Sequence, residues 1–148
     1  MASANWYGKA LSGQYSTTAA RRVDWTGDTI KVALCTSSYT PDQDTHEFFS
    51  DVTNQVTGTG YSAGGATLGS KSVNYDSASN TTSLRAGQSS WANATFTARY
   101  AVIYKDTGSA STSPLLGWVD FGGDEMVSSG TFTVIWDPTD GVLKIAAA

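Results

Sequence analysis

"SSWANATFTARYAVIYKD", residues 89–106, is the stretch whose reading decides the fold. Aromatic and β-branched residues dominate it, and apolar side chains return at every second position, the period of a strand. Phe96, Ala98, Tyr100, Val102 and Tyr104 fall in one phase. Thr95, Thr97, Arg99, Ala101, Ile103 and Lys105 fall in the other, with Trp91 leading in. From Ala101 to Ile103 both phases are apolar, which predicts a strand covered on both sides. The neighbouring "DTGSASTSP" (residues 106–114) breaks the pattern with small hydroxylated residues. "PLLGWVDFG" (114–122) then resumes it, setting Leu115, Val119 and Phe121 against Leu116 and Trp118.

The same signal recurs in both directions. "DWTGDTIKVALCT" (24–36) turns at Thr26-Gly27-Asp28 and continues as a half-buried strand, Ile30, Val32 and Leu34 alternating with Lys31, Ala33 and Cys35. "SSYTPDQDTHEFFSDV" (37–52) reads as a loop leading to Phe48, Phe49 and Val52, with Asp44 or Thr45 capping one helical turn. "TNQVTGTGYSAGGATLGS" (53–70) carries five glycines and must be irregular. "KSVNYDSASNTTSLRAG" (71–87) predicts a hairpin turning near Ser77 to Asn80. "GTFTVIWDPTDGVLKIA" (130–146) predicts a last hairpin, Phe132, Val134 and Trp136 returning through "DPTDG" to Val142–Ile145.

The expected fold class is therefore all-β: a single β-sandwich or partly open barrel of about seven or eight strands. The exception is the start. Trp6, Ala10, Leu11 and Tyr15 approximate a helical stripe interrupted by Gly8 and Gly13, so a short helix or an extended arm precedes the strands. The division is an arm over 1–22 and a β-domain over 23–148.

The bulk numbers exclude several functions. Lys and Arg total nine in 148 residues, the net charge is −4, and no cationic cluster forms, which argues against nucleic acid as a partner. No apolar run reaches the roughly 18 residues that span a membrane, and "MASANWYGKALSGQY" lacks the form of a signal peptide, so synthesis in a cytoplasm is expected. Charged residues make up only 15%, while Ser and Thr number 39. A surface of short neutral hydroxyls is poorly kept in solution by charge and suits coverage in an assembly.

Chemistry finds little to build on. His46 is the single histidine and could meet Ser50 or Cys35 only through folding; no nucleophile elbow or papain-type signature surrounds them. Cys35, the single cysteine, reads as a buried thiol. One His and one Cys cannot make an ordinary zinc site, and the Asp pairs of "DPTDG" and "PDQDT" match turns rather than an EF-hand. Asp120, Asp124 and Glu125 in "DFGGDE" read as a solvated loop at a strand end, not a glycosidase pair. "GTGYSAGG" lacks the Gly-Lys-Ser/Thr ending of a phosphate loop. No catalytic, cofactor or metal residues are expected. Five Trp and seven Tyr leave core packing, subunit packing and sugar stacking open. Trp6, Tyr7 and Tyr15, in the glycine-spaced arm, suit docking onto a neighbouring subunit or onto the chain's own core equally.

Several stretches resemble one family. "WTGDTIKVALCTSSYTPDQDTHEFFSDV", "VTGTGYSAGGATLGSKSV", "FTARYAVIYKDTGSASTSPLLGWVDFG" and "GTFTVIWDPTDGVLKI", which cover most of the chain from Trp25 onward, resemble small structural proteins of tailed bacteriophages. The strings "YAVIYKDTG" with "STSPLLGWVDF", and "TVIWD" with "GVLKI", carry most of that resemblance. It implies a virion component and not an enzyme. The expectation is a capsid decoration protein whose partners are the major capsid protein, other virion subunits and copies of itself. A tail tube, tip or fibre-associated subunit is the first alternative, and a carbohydrate-binding module contacting a surface glycan the second. Trp6, Tyr7, Tyr15, Arg21 and Arg22 are the expected docking residues. Asp106, Thr107, Ser109, Ser111 and Thr112 are expected in a loop at an outer or inter-subunit surface.

Overall fold

A computed structural model describes residues 2–147; the expected arm and β-domain boundaries at Met1 and Ala148 lie outside the described residues. Eight strands form two antiparallel sheets. They are β1 (Ser3–Trp6), β2 (Ile30–Cys35), β3 (Ala66–Thr67), β4 (Ser72–Asp76), β5 (Thr81–Arg85), β6 (Ser89–Lys105), β7 (Leu115–Val134) and β8 (Leu143–Ala146). The larger sheet runs β1-β7-β6-β2-β3 and the smaller β4-β5-β8. The chain is an all-β sandwich with one short helix, α1 (Gly8–Gly13).

The sheets meet over one core. Ile30, Val32 and Leu34 of β2, Ala94, Phe96, Ala101 and Ile103 of β6, and Leu116 pack with Val142 and Leu143 and against Leu84 of β5. A second core covers the opposite face of the larger sheet, where Tyr7, Ala10 and Tyr39 pack on Ala33, Cys35, Val102, Tyr104 and Leu115. The β2 strand is thus buried on both faces rather than half-buried, because β6 and β3 flank it and a core lies on each side.

Strand phase departs from simple alternation in β6. Phe96 and Ala98 face the inter-sheet core, and so do Ala101 and Ile103, while Tyr100, Val102 and Tyr104 face the second core. The register shifts between Ala98 and Tyr100, where Ala98 pairs with Glu125 but Tyr100 pairs with Asp120. An irregularity of this kind reverses which phase points inward. A second shift between Ile103 and Tyr104 sends Leu116, Val119 and Phe121 to one core and Leu115 and Trp118 to the other, regrouping the expected sets.

Three further expectations change. "DFGGDE" is not a loop at a strand end but an irregular stretch within the continuous β7, where Gly122 takes φ +83°. The turn in "DPTDG" forms, Gly141 N–H donating to Asp137 O at 2.9 Å, but its return strand β8 pairs with β5 instead of closing a hairpin with residues 131–136. In the 37–52 loop it is Asp42, not Asp44 or Thr45, whose carboxylate gathers the turn, accepting from the N–H groups of Asp44 and Thr45.

Candidate functional site

The first half of β7 has β1 beside it, Ser3 to Trp6 pairing with Asp120 to Gly117. Beyond Asp120 the strand keeps β6 on one side and, among the described residues, has no paired strand on the other. Along that free side runs an open groove of about 820 Å³, walled by β1, by residues 125–127 and 131–137, and by the segment leading into β8. Trp6, Phe121 and Phe132 are part of its lining. Met126 and Ile135, 78% and 75% exposed, are also among its lining residues. Glu125, Asp137 and Asp140 against Lys144 leave the rim at −2 (one cation, three anions), and Lys144 Nζ bonds Asp140 at 2.7 Å. Ile135 was signalled in the sequence as the one large apolar residue in a phase otherwise held by Thr131 and Thr133. Met126, between Glu125 and Val127 in a stretch without clear alternation, carried no such signal.

The arm divides into a built-in part and an exposed part. Tyr7 is fully buried, its hydroxyl 2.8 Å from that of Tyr39, and so has no surface to offer a neighbouring subunit. It belongs to this chain's own core because β1 continues the larger sheet and delivers it there. Trp6 is half-buried and donates its Nε1–H to Lys144 O at 2.7 Å. Arg21 is drawn into an ion pair with Glu47, which also holds Lys9 at 3.2 Å. Tyr15, at 93% exposure, and Arg22 remain outward. The segment is anchored where Lys105 Nζ donates to Arg22 O at 2.8 Å.

The hydroxyl loop is knotted on itself. Thr107 and Thr112 hydroxyls lie 2.6 Å apart, Ser109 and Ser111 hydroxyls 3.1 Å apart, and the buried Ser113 hydroxyl donates to Ser109 O at 2.7 Å. Asp106 pairs with Lys31 at 3.1 Å and accepts the Gly108 N–H. Short hydroxyl side chains bonding nearby backbone give a fixed turn rather than an adaptable contact. Ser109, Ser111 and Thr112 stay exposed at its tip.

His46 sits in a polar relay and not beside a nucleophile. Its Nδ1 accepts from Asp42 N–H at 3.3 Å and lies 3.0 Å from the Tyr39 hydroxyl. Burial pushes the Tyr39 phenol up to about 12 and the Cys35 thiol up to about 12, so both stay protonated near neutrality. Among the described residues no three His, Cys, Asp or Glu side chains gather as a metal cage requires. The Asp pairs considered for calcium are engaged locally: Asp42 as above, and Asp137 by the N–H groups of Thr139 and Asp140. Asp120 forms a two-pronged pair with Arg99, at 2.7 and 3.3 Å, instead of facing another carboxylate across a cleft. All five tryptophans are buried or half-buried, so any sugar stacking would fall to Tyr15 or Tyr75.

These turn carboxylates set an acid limit. Backbone N–H groups hold the carboxyls of Asp24, Asp42, Asp51, Asp76, Asp106 and Asp137 below the ordinary 3.8, and the Arg99 guanidinium does so for Asp120. A carboxyl depressed by folding stabilises the folded chain above its unfolded value, and that contribution fades as pH falls through the folded one. The melting temperature is expected to be level from pH 7 down to about 4 and to fall steeply below, as followed by circular dichroism. A melting temperature that holds level below that point would contradict these bonds.

The chain matches no protein-family model, no curated protein and no solved structure.

Proposed function

We propose that this chain is a structural protein of a tailed-phage particle, a capsid decoration protein that binds the head lattice from outside and ties its subunits together. The observation that carries the reading is the open groove beside β7, with the strongly exposed Met126 and Ile135 in its lining. Exposed apolar groups of this size gain roughly 25 cal/mol for each Å² removed from water, so a groove held open by a rigid sheet favours being filled. The phage assignment itself comes from the resembling strings around residues 96–122 and 130–145.

The mechanism is mass action. Each copy that binds the assembled shell and not its dissociated parts shifts the balance toward assembly, and many copies multiply a modest contact. Heads prepared without this protein are expected to take it up to saturation and to withstand a higher temperature afterwards. The double change Met126→Asp with Ile135→Asp is expected to weaken uptake about tenfold or more, as loss of a buried apolar anchor does. Heads that take up none, or that take up the double variant as well as the parent, would contradict the reading. Deleting residues 1–22 is expected to lower stability as well as uptake, since it removes β1 and Tyr7 from the fold itself.

A further inference from the structure

We infer that the groove of one copy receives the Tyr15–Arg22 turn of a second copy, joining subunits head to tail. The inference rests on the assembly reading above and names the partner of that groove. The two surfaces are complementary. The turn presents Tyr15, the most exposed large apolar side chain among the described residues, beside the outward Arg22. Lys9, Arg21 and Arg22 against Glu47 leave that corner at +2 (three cations, one anion), while the groove rim stands at −2. Such a match orients an encounter and rejects the reversed pairing of like with like.

Distance keeps a chain's own turn from the Met126 and Ile135 end of its groove, although the groove also reaches Trp6 and Val119 nearer the other end of β6. The turn is tied to Lys105 at the end of β6 through the carbonyl of Arg22. The groove lies beside Met126 and Val134, which pair with Thr97 and Ser89 of the same strand. Between 105 and 97 are 8 steps and between 105 and 89 are 16, so the separation along the strand is roughly 25–50 Å. A contact between unlike patches of a molecule is heterologous. It closes into a ring or continues as a filament according to the angle between subunits.

The aromatic ring of Tyr15 packs against Met126, and Arg22 reaches the adjacent Glu125. The experiment is sedimentation velocity on the full chain at low salt, from about 1 μM to about 1 mM, the range that brackets affinities of a single modest contact. The parent protein is expected to associate with concentration, and added salt to weaken this. Arg22→Glu alone and Glu125→Lys alone are each expected to weaken association about tenfold or more, because like charges then face each other. The chain carrying both changes restores an opposite pair at every junction and is expected to recover, which a variant damaged in folding would not do. Tyr15→Ser is expected to weaken association by a similar factor with no change in melting temperature. A protein that stays monomeric throughout, single variants that associate like the parent, or a double variant without recovery would overturn the inference. A monomer that nonetheless saturates heads would overturn this contact and leave the decoration reading standing.

Discussion

Tyr7→Ala is expected to lower stability by about 3–5 kcal/mol, the range for deleting a large buried side chain that leaves a cavity. In a chain of this size that corresponds to a melting temperature lower by roughly 10–15 °C. Tyr7 is wholly inaccessible, its ring lies 4.7 Å from that of Trp118, and its hydroxyl bonds Tyr39. Tyr7→Phe keeps the ring and removes only the hydroxyl, and since Tyr39 retains His46 nearby, the expected cost is about 1 kcal/mol. Tyr15→Ala, on a residue 93% exposed, should change stability by less than about 0.5 kcal/mol. The three variants separate the built-in part of the N-terminal segment from its outward part. A Tyr7→Ala protein that melts with the parent would show that the segment is a detachable arm after all.

Gly65→Ala has the other large effect, for a reason confined to the backbone. Gly65 takes φ +77°, and a Cβ there would lie 2.6 Å from the Val32 carbonyl carbon and 2.7 Å from Ala33 Cα. The left-handed conformation costs a non-glycine residue roughly 1–2 kcal/mol, and displacing β2 costs roughly 1–3 kcal/mol more, so about 2–5 kcal/mol is expected in all. Two glycines calibrate the contributions. Gly108, at φ +93° with open space around it, isolates the conformational part, so Gly108→Ala should cost about 1–2 kcal/mol. Gly69, with open space and no such φ, should tolerate Ala within about 0.5 kcal/mol. Urea unfolding of the three variants checks the order; equal costs at Gly65 and Gly69 would contradict the close approach of the 53–70 loop to β2.

The all-β class was legible because period-two alternation and turn residues are local properties. The hairpin of β4 and β5 appears where Val73, Tyr75, Thr82 and Leu84 placed it, with Asn80 at φ +53° completing its turn. What escaped is what depends on partners distant in sequence. The phase of β6 was right up to Ala98 and reversed after it, because the irregularity opposite residues 121–124 belongs to the pairing and not to either strand alone. For the same reason β8 could not be assigned to β5 rather than to residues 131–136. The candidate site divides along the same line. Tyr15 and Arg22 are outward and Tyr7 is buried, a division the sequence left open: Tyr7 sits one peptide bond beyond β1, and pairing of β1 with β7 decides its burial. The groove is a product of unequal strand lengths, four residues of β1 beside twenty of β7, which no local pattern displays.

The most direct test of the central claim, that this chain works by adhering to a repeated surface, is an image reconstruction of the intact particle at a resolution that distinguishes a β-sandwich. The account predicts density for this fold on the outside of the head, repeated with the lattice, with the side of β7 beyond Asp120 covered by a neighbouring subunit. Particles carrying this density along the tail axis would contradict the placement on the head. Particles that lack the chain altogether would contradict the claim itself.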